Sequence, residues 1–448
     1  MKIQCFVILI IGMYCLDQIP VSAQKVEGEL AVSANEFLNS IGVCVHVQHG
    51  QSALKMAEIL KYSGIRNIRD GADRNYNTSG LILLHKKAGV HVVIGPGSGA
   101  HDVDLQATIV MARELHENGA LMAIEGPNEP NNFGGVTYQG EKTGISTGSW
   151  LPAAKFQRDL YSAVKQDAVL KNYPVFGISE VGAETDNTGL QFLTIPDGAS
   201  TLMPDGTKYA DYANVHNYMY HDAMWPGNPH DNQVWNAADP SSICKADGLY
   251  NNHGRTWRNH FQGYSETDLS TIPRVTTETG VRVGDYKGQI TEEVQGNNYL
   301  NLYLAQFKRG WSYTFIYEFL DDPDGSFGFY KIDYVTPRKS ALYLHNFTEI
   351  LSDSISVHSP GKLNYSIRNQ PGTTHSLLLK KSNEKFEIVI WSEKVTGSDD
   401  IEVTLDSTYR NIYIYDPTIG IDPVQTLKDK SSVGLKMTDH PIIVEIAK

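Results

Sequence analysis

From about residue 41 to residue 351, short runs of β-branched and aromatic residues alternate with longer stretches in which apolar positions recur every three or four residues. Eight such short runs occur, at 41–47, 65–70, 91–95, 121–125, 175–180, 213–218, 274–278 and 311–319. The helical spacing between them is seen at Leu54, Ala57 and Leu60 ahead of Gly64, and at Leu105, Ile109, Ala112 and Leu115 ahead of Asn118 and Gly119. Each glycine is read as a helix stop, because it adopts the left-handed backbone that closes the last turn at no steric cost. Strand and helix in strict alternation predict an α/β fold, a parallel sheet covered by helices, and eight strands fit a (β/α)8 TIM barrel better than an open doubly wound sheet. An open sheet would carry a phosphate loop after its first strand, and none is present. Gly95-Pro96-Gly97-Ser98-Gly99, after the third run, has neither the spacing nor the lysine of such a loop.

Beyond the helical stretch at 342–350 the period changes to two. Alternating runs at 376–379, 386–391, 401–405, 412–415 and 442–446, separated by polar turns, predict a small antiparallel β-sandwich over 352–448. No flexible linker divides it from the barrel at 24–351, so the two domains are expected to pack together.

The start of the chain reads as a signal peptide over residues 1–23, with Lys2, an apolar run at 6–11 and the small-residue pattern Val21-Ser22-Ala23. A secreted, soluble protein is the expectation. Acidic residues outnumber basic ones by 51 to 38, with no basic run, which disfavours nucleic acid and favours a neutral partner. No later stretch is long and apolar enough for stable membrane insertion. Cys5 and Cys15 fall in the leader, leaving Cys44 in a strand pattern and Cys244 in a polar stretch. They are either a disulfide pair or include a buried free Cys44. Asn77, Asn346 and Asn364 stand in Asn-x-Ser/Thr sequons.

The chemistry gathers at strand ends. Glu125-Gly126-Pro127-Asn128-Glu129-Pro130 closes the fourth run, and Pro130 is expected to hold Glu129 extended where the chain leaves the sheet. In a barrel this is the C-terminal mouth, where active sites form. Thr276-Thr277-Glu278-Thr279-Gly280 closes the seventh run; Glu is a poor strand former and costly to bury, so its position asks for a reason. Two carboxyl groups on separate strand ends are what glycoside hydrolysis needs, one to protonate the leaving oxygen and one to attack the anomeric carbon, in opposite protonation states. Arg69, ending the second run, either holds Glu278 ionised or forms a structural ion pair with Asp70 or a loop carboxylate. Asn128 is placed to bond a sugar hydroxyl. His216 and Tyr218, two apart on the sixth strand, share a side, the tyrosine toward the nucleophile and the histidine toward the sugar, unless both are core. Trp225 and Tyr220 would stack on a sugar face or simply pack a loop.

Asn128-Glu129-Pro130 on the fourth strand, Glu278 on the seventh, Arg69 on the second and His216-x-Tyr218 on the sixth resemble the pattern of clan A retaining glycoside hydrolases, as in families 5, 30, 39 and 79. The resemblance spans the barrel. It implies Glu129 as acid/base, Glu278 as nucleophile, Asn128 as partner of the 2-hydroxyl and Tyr218 as hydrogen-bond donor to the nucleophile. Many clan members end the eighth strand with a tryptophan under the sugar; here Tyr317 or Phe319 would be the platform and Glu318 a hydroxyl contact.

The expected partner is therefore a carbohydrate with β-glycosidic bonds, and no cofactor or metal is expected. Gly-x-Ser-x-Gly and His-Glu-x-x-His are absent, which removes the serine-hydrolase and zinc-hydrolase motifs. His221, His230 and Asp231 are read as a hydrated loop rather than a metal site. A noncatalytic carbohydrate-binding barrel is the alternative, and it would be expected to have lost one glutamate. Loops at 134–150 and 221–249 would either close one end of a cleft or flank an open groove.

Overall fold

The computed structural model describes residues 28–72, 76–97, 102–130, 135–143, 149–179, 193–195, 197–198, 202–219, 231–239, 271–284, 290–323 and 325–447. Ile41–Cys44, Asn67–Gly71, His91–Gly95, Leu121–Glu125, Val175–Phe176, Ala213–Asn214, Arg274–Thr279 and Tyr313–Ile316 form one parallel sheet. Each strand pairs with its neighbour in sequence except the fifth with the sixth, and the eighth pairs with the first. Closure comes from a parallel bridge between Phe176 and Tyr212, with Gly177 N–H on the Tyr212 carbonyl at 2.9 Å. The eight predicted runs are the eight strands of a TIM barrel. The fifth and sixth are two residues long where six were expected: past Asn214 the ladder bond from Val215 to Val275 is stretched to 3.4 Å.

Helices sit where the spacing put them, with ends set by local chemistry. Ala53–Ser63 is capped by Ser52 and stopped by Gly64 at φ +71°, while Leu105–Glu117 is capped by Asp104, which accepts Ala107 N–H at 3.0 Å. One part of the expected face is wrong. Leu54 is 62% exposed, and Ala53, Met56, Ala57 and Leu60 make the buried stripe instead. Among the described residues no helix is long and apolar enough to cross a membrane.

The barrel interior is layered. Cys44, Val93, Ala123, Phe176, Val275 and Phe315 form an apolar plug on its axis. Because side chains alternate, the inward positions two residues further along several strands come next, and these are polar: Glu125 after Ala123, and Thr277 after Val275. The seventh strand carries a register shift between Thr276 and Thr279, a bulge that lets Glu278 as well as Thr277 turn into the mouth.

The second domain is the expected antiparallel β-sandwich, with two additions. Residues of both chain ends build it: Gly28–Leu30 pairs with Lys362–Arg368, and Val32–Ser33 pairs in parallel with Thr374–Lys380. The runs at 401–405 and 412–415 are a single strand, Asp399–Tyr415, bent by a register shift between Thr404 and Tyr409 and hairpinned with Gln425–Met437. Its own core includes Phe386, Ile388, Ile390, Val403, Ile412 and Val444. The opposite face, with Leu377, Leu379, Val389, Trp391 and Ile443, joins the core shared with the barrel helices, which fixes the domain against the barrel. Cys44 is a buried free thiol on the Thr277 carbonyl at 3.1 Å; Cys244 lies outside the described residues.

Candidate active site

The fourth strand delivers its motif through a tight passage. A Cβ at Gly126 would lie 1.9 Å from Oε1 of buried Gln157 and 3.0 Å from Ile178 N, so a larger residue would have to displace Gln157, whose Nε2 is bonded to the Phe176 and Tyr209 carbonyls. Past it, Asn128 N–H bonds the Gly97 carbonyl at 3.1 Å and Glu129 N–H the Ser179 carbonyl at 3.0 Å. Glu129 is not extended, as Pro130 led us to expect, but left-handed at φ +39°. The bond to Ser179 holds its backbone in that region, an uncommon conformation for a residue other than glycine.

Glu129 and Glu278 converge. Both are buried, and a carboxyl oxygen of each lies within 4.8 Å of the other and of a His216 ring nitrogen. Glu278 is an acceptor on both oxygens: Arg69 Nη1 donates to Oε1 at 2.6 Å and the Tyr218 hydroxyl to Oε2 at 2.9 Å. Glu129 Oε1 stands 2.5 Å from His216 Nδ1.

Behind this pair lies a buried polar layer centred on Glu125, which sequence reasoning passed over. Arg69 grips it with Nε on Oε2 at 2.9 Å and Nη2 on Oε1 at 3.0 Å, and also donates from Nη2 to Asn128 Oδ1 at 2.6 Å. The guanidinium therefore bonds Glu125, Glu278 and Asn128 rather than Asp70, whose Oδ2 accepts from Gln48 N–H. Two-point binding fixes the plane of Arg69 and with it the positions of Glu278 and Asn128. Asn214 Nδ2 and Thr277 Oγ1 donate to Glu125 Oε1 at 3.1 and 2.7 Å. The signal was a glutamate ending an apolar strand on the same inward parity as Ala123.

His216 faces Glu129 rather than open space, and it is fully buried with Nε2 3.0 Å from Thr277 Oγ1. On the eighth strand, Phe319 is not a platform: it is buried among Phe329 and Tyr330. Tyr317 is half-buried, packs by Phe327 and His46 and donates its hydroxyl to Asp322. Glu318 accepts Asp322 N–H at 3.0 Å, and its Oε2 lies 3.4 Å from His46 Nδ1. Burial and then the charge of Asp322 push the Glu318 carboxyl up to about 10, so at neutral pH it is a protonated group able to donate. His46 titrates above its ordinary value although burial opposes this, because Asp322 accepts its N–H at 3.1 Å and adds its charge. His46 and Asp322 are residues the sequence reading missed.

Two trios among the described residues are close enough to share a metal ion: Glu129, His216 and Glu278, and His46, Glu318 and Asp322. Trp225, Tyr220, His221 and His230 lie outside the described residues. Asp231 accepts Val395 N–H at 2.9 Å and so ties its loop to the β-domain.

No protein-family model and no curated protein matches the sequence. Solved structures do match the fold. A family 39 glycoside hydrolase from Bacteroides cellulosilyticus is similar over 93% of this chain and 82% of its own, at 16% identity and a TM-score of 0.56. A GH30 endoxylanase from Clostridium papyrosolvens is similar over 94% and 98%, at 13% identity and 0.54, and the GH51 arabinofuranosidase from Xanthomonas axonopodis pv. citri over 94% and 97%, at 11% and 0.55. The shared architecture covers the barrel and the β-domain together.

Proposed function

We propose that the protein is a secreted retaining glycoside hydrolase that cleaves β-glycosidic bonds of an oligo- or polysaccharide through a covalent glycosyl-enzyme. The observation that carries this reading is the pairing of Glu129 and Glu278 across the barrel mouth, with oxygens within 4.8 Å of each other. Retaining enzymes keep their two carboxyl groups about 5 Å apart, whereas inverting ones leave roughly 6.5–9.5 Å for a water.

The partners divide the roles. Glu278, holding two donated hydrogen bonds and none to give, is the nucleophile toward the anomeric carbon. Glu129 gives its proton to the glycosidic oxygen as that bond breaks, then takes one from the water that releases the sugar from Glu278. Asn128 has its oxygen turned to Arg69, so its Nδ2 amide is the group left for a sugar hydroxyl. Tyr317 and His46, both half-buried, form the neighbouring wall, whereas Glu318 is fully buried and lies behind it on His46 and Asp322, with no face for the hydroxyl contact expected of it. Arg69 positions Glu278 and Asn128. A net charge of −13 agrees with a neutral carbohydrate rather than a polyanion. The leader at 1–23 would export the enzyme to such a substrate. The presence of both glutamates favours catalysis over sugar binding alone.

Proton NMR of the first product released from a panel of aryl β-glycosides tests this. The β-anomer is expected to form first and mutarotate later; an α-anomer first, or no hydrolysis of any β-glycoside or polysaccharide, would reject the reading.

A further inference from the structure

We infer that Thr277 and Glu125 lock His216 in the tautomer that carries its proton on Nε2, and that this lock keeps a proton on the hydrogen bond between His216 Nδ1 and Glu129. The inference rests on the acid/base role given to Glu129.

It follows from counting donors. Thr277 Oγ1 has one proton and two lone pairs. Its shortest bond, 2.7 Å, runs to Glu125 Oε1, which also receives Arg69 and Asn214 N–H groups and so can only accept. The next acceptor in reach, Asn214 Oδ1 at 3.2 Å, likewise has no proton to give, and its amide is oriented by the Thr277 N–H it accepts at 3.3 Å. Asn214 Nδ2 fills one lone pair of Oγ1 at 2.9 Å. What Oγ1 offers His216 Nε2 at 3.0 Å is its second lone pair, so Nε2 must bear a hydrogen.

With Nε2 protonated, a neutral His216 presents a bare lone pair at Nδ1. Glu129 Oε1 is 2.5 Å away, and two lone pairs at that distance repel. Either the carboxyl keeps its proton and donates to Nδ1, or the ring is protonated and Nδ1 donates to the carboxylate. Both arrangements hold one proton between the two groups, ready for the leaving oxygen. Were the ring free to carry its proton on Nδ1 alone, it would stabilise an unprotonated Glu129 and an unloaded acid. Thr277, Glu125 and Asn214 are thus positioning residues that act through His216.

Two measurements test this. Long-range proton–nitrogen NMR of histidine-labelled protein, with the His216 signal assigned by His216→Gln, is expected to show Nε2 protonated; a bare Nε2 would overturn the lock whatever the enzyme hydrolyses. Thr277→Val keeps the shape but not the lone pairs. It is expected to lower kcat/KM about 10- to 100-fold on glycosides with poor leaving groups and less than about threefold on activated ones. Thr277→Ser should restore both. An equal loss on both substrate classes, or no loss, would overturn the inference, and if Thr277→Val does not fold the wild-type spectrum decides. Absence of all turnover with Nε2 still protonated would instead count against the hydrolase reading.

Discussion

Glu278→Gln is expected to lower turnover of every substrate by roughly 100,000-fold, because the amide that replaces the carboxylate cannot form the glycosyl-enzyme. The substitution keeps the side chain's size. Its oxygen can still accept from Arg69 Nη1 or the Tyr218 hydroxyl, so the fold and the substrate contacts should survive. The loss should be the same for activated and unactivated leaving groups, since both need the same attack. Steady-state rates on an aryl glycoside, with circular dichroism to confirm the fold, check it. A residual rate within 100-fold of wild type would remove Glu278 from the nucleophile's role.

Glu129→Ala should separate substrates instead. Glycosides whose leaving group needs a proton should lose roughly 100- to 10,000-fold, while an activated aryl glycoside should still form the intermediate and then stall, because no base remains to activate water. Azide needs no base. It fits the space left by the carboxyl and should restore turnover of the activated substrate, yielding the β-glycosyl azide. The site favours this outcome, since removing Glu129 leaves Arg69 and Tyr218 in place on Glu278. Failure of azide to accelerate the variant would count against Glu129 as acid/base.

Much of this was legible in residue order, and the limits have physical causes. Most barrel strands are short and rich in apolar and β-branched residues, as parallel strands covered by helices tend to be, so their runs stood out even where polar residues interrupt them. Side-chain parity put His216 and Tyr218 on one side of their strand, and the structure has the first reaching Glu129 and the second Glu278. Parity failed at Glu278, which should alternate with Thr277 but shares its side because of the bulge at 276–279. A bulge leaves no mark in a β-branched run. The left-handed backbone at Glu129 was hidden for a similar reason: the rule about residues before proline concerns local sterics, whereas a distant carbonyl, that of Ser179, accepts its N–H. Glu125 was overlooked because its role depends on what three other strands bring to it. Arg69, Asn214, Thr277 and Glu278 each occupy a different position along the chain and meet only when the barrel closes. In the β-domain, Gln425–Met437 escaped notice because most of its side chains face solvent, leaving little apolar alternation to read.

The reading of Phe319 as a platform failed on burial. Tyr317 precedes it by two residues and shares its parity on a flat strand, yet regular pairing of the eighth strand ends at Ile316 and the two aromatic rings part company. Phe319 joins Phe329 and Tyr330 in the core, and Tyr317 stays at the mouth.

The most direct measurement is mass spectrometry of the protein after incubation with a 2-deoxy-2-fluoro glycoside bearing a good leaving group, in the sugar series that the aryl panel selects. The fluorine slows both steps and the leaving group speeds only the first, so the intermediate accumulates. One fluorosugar attached to the peptide containing Glu278 is the predicted result. A label on any other residue, or continued turnover of that sugar series with no label at all, would contradict it.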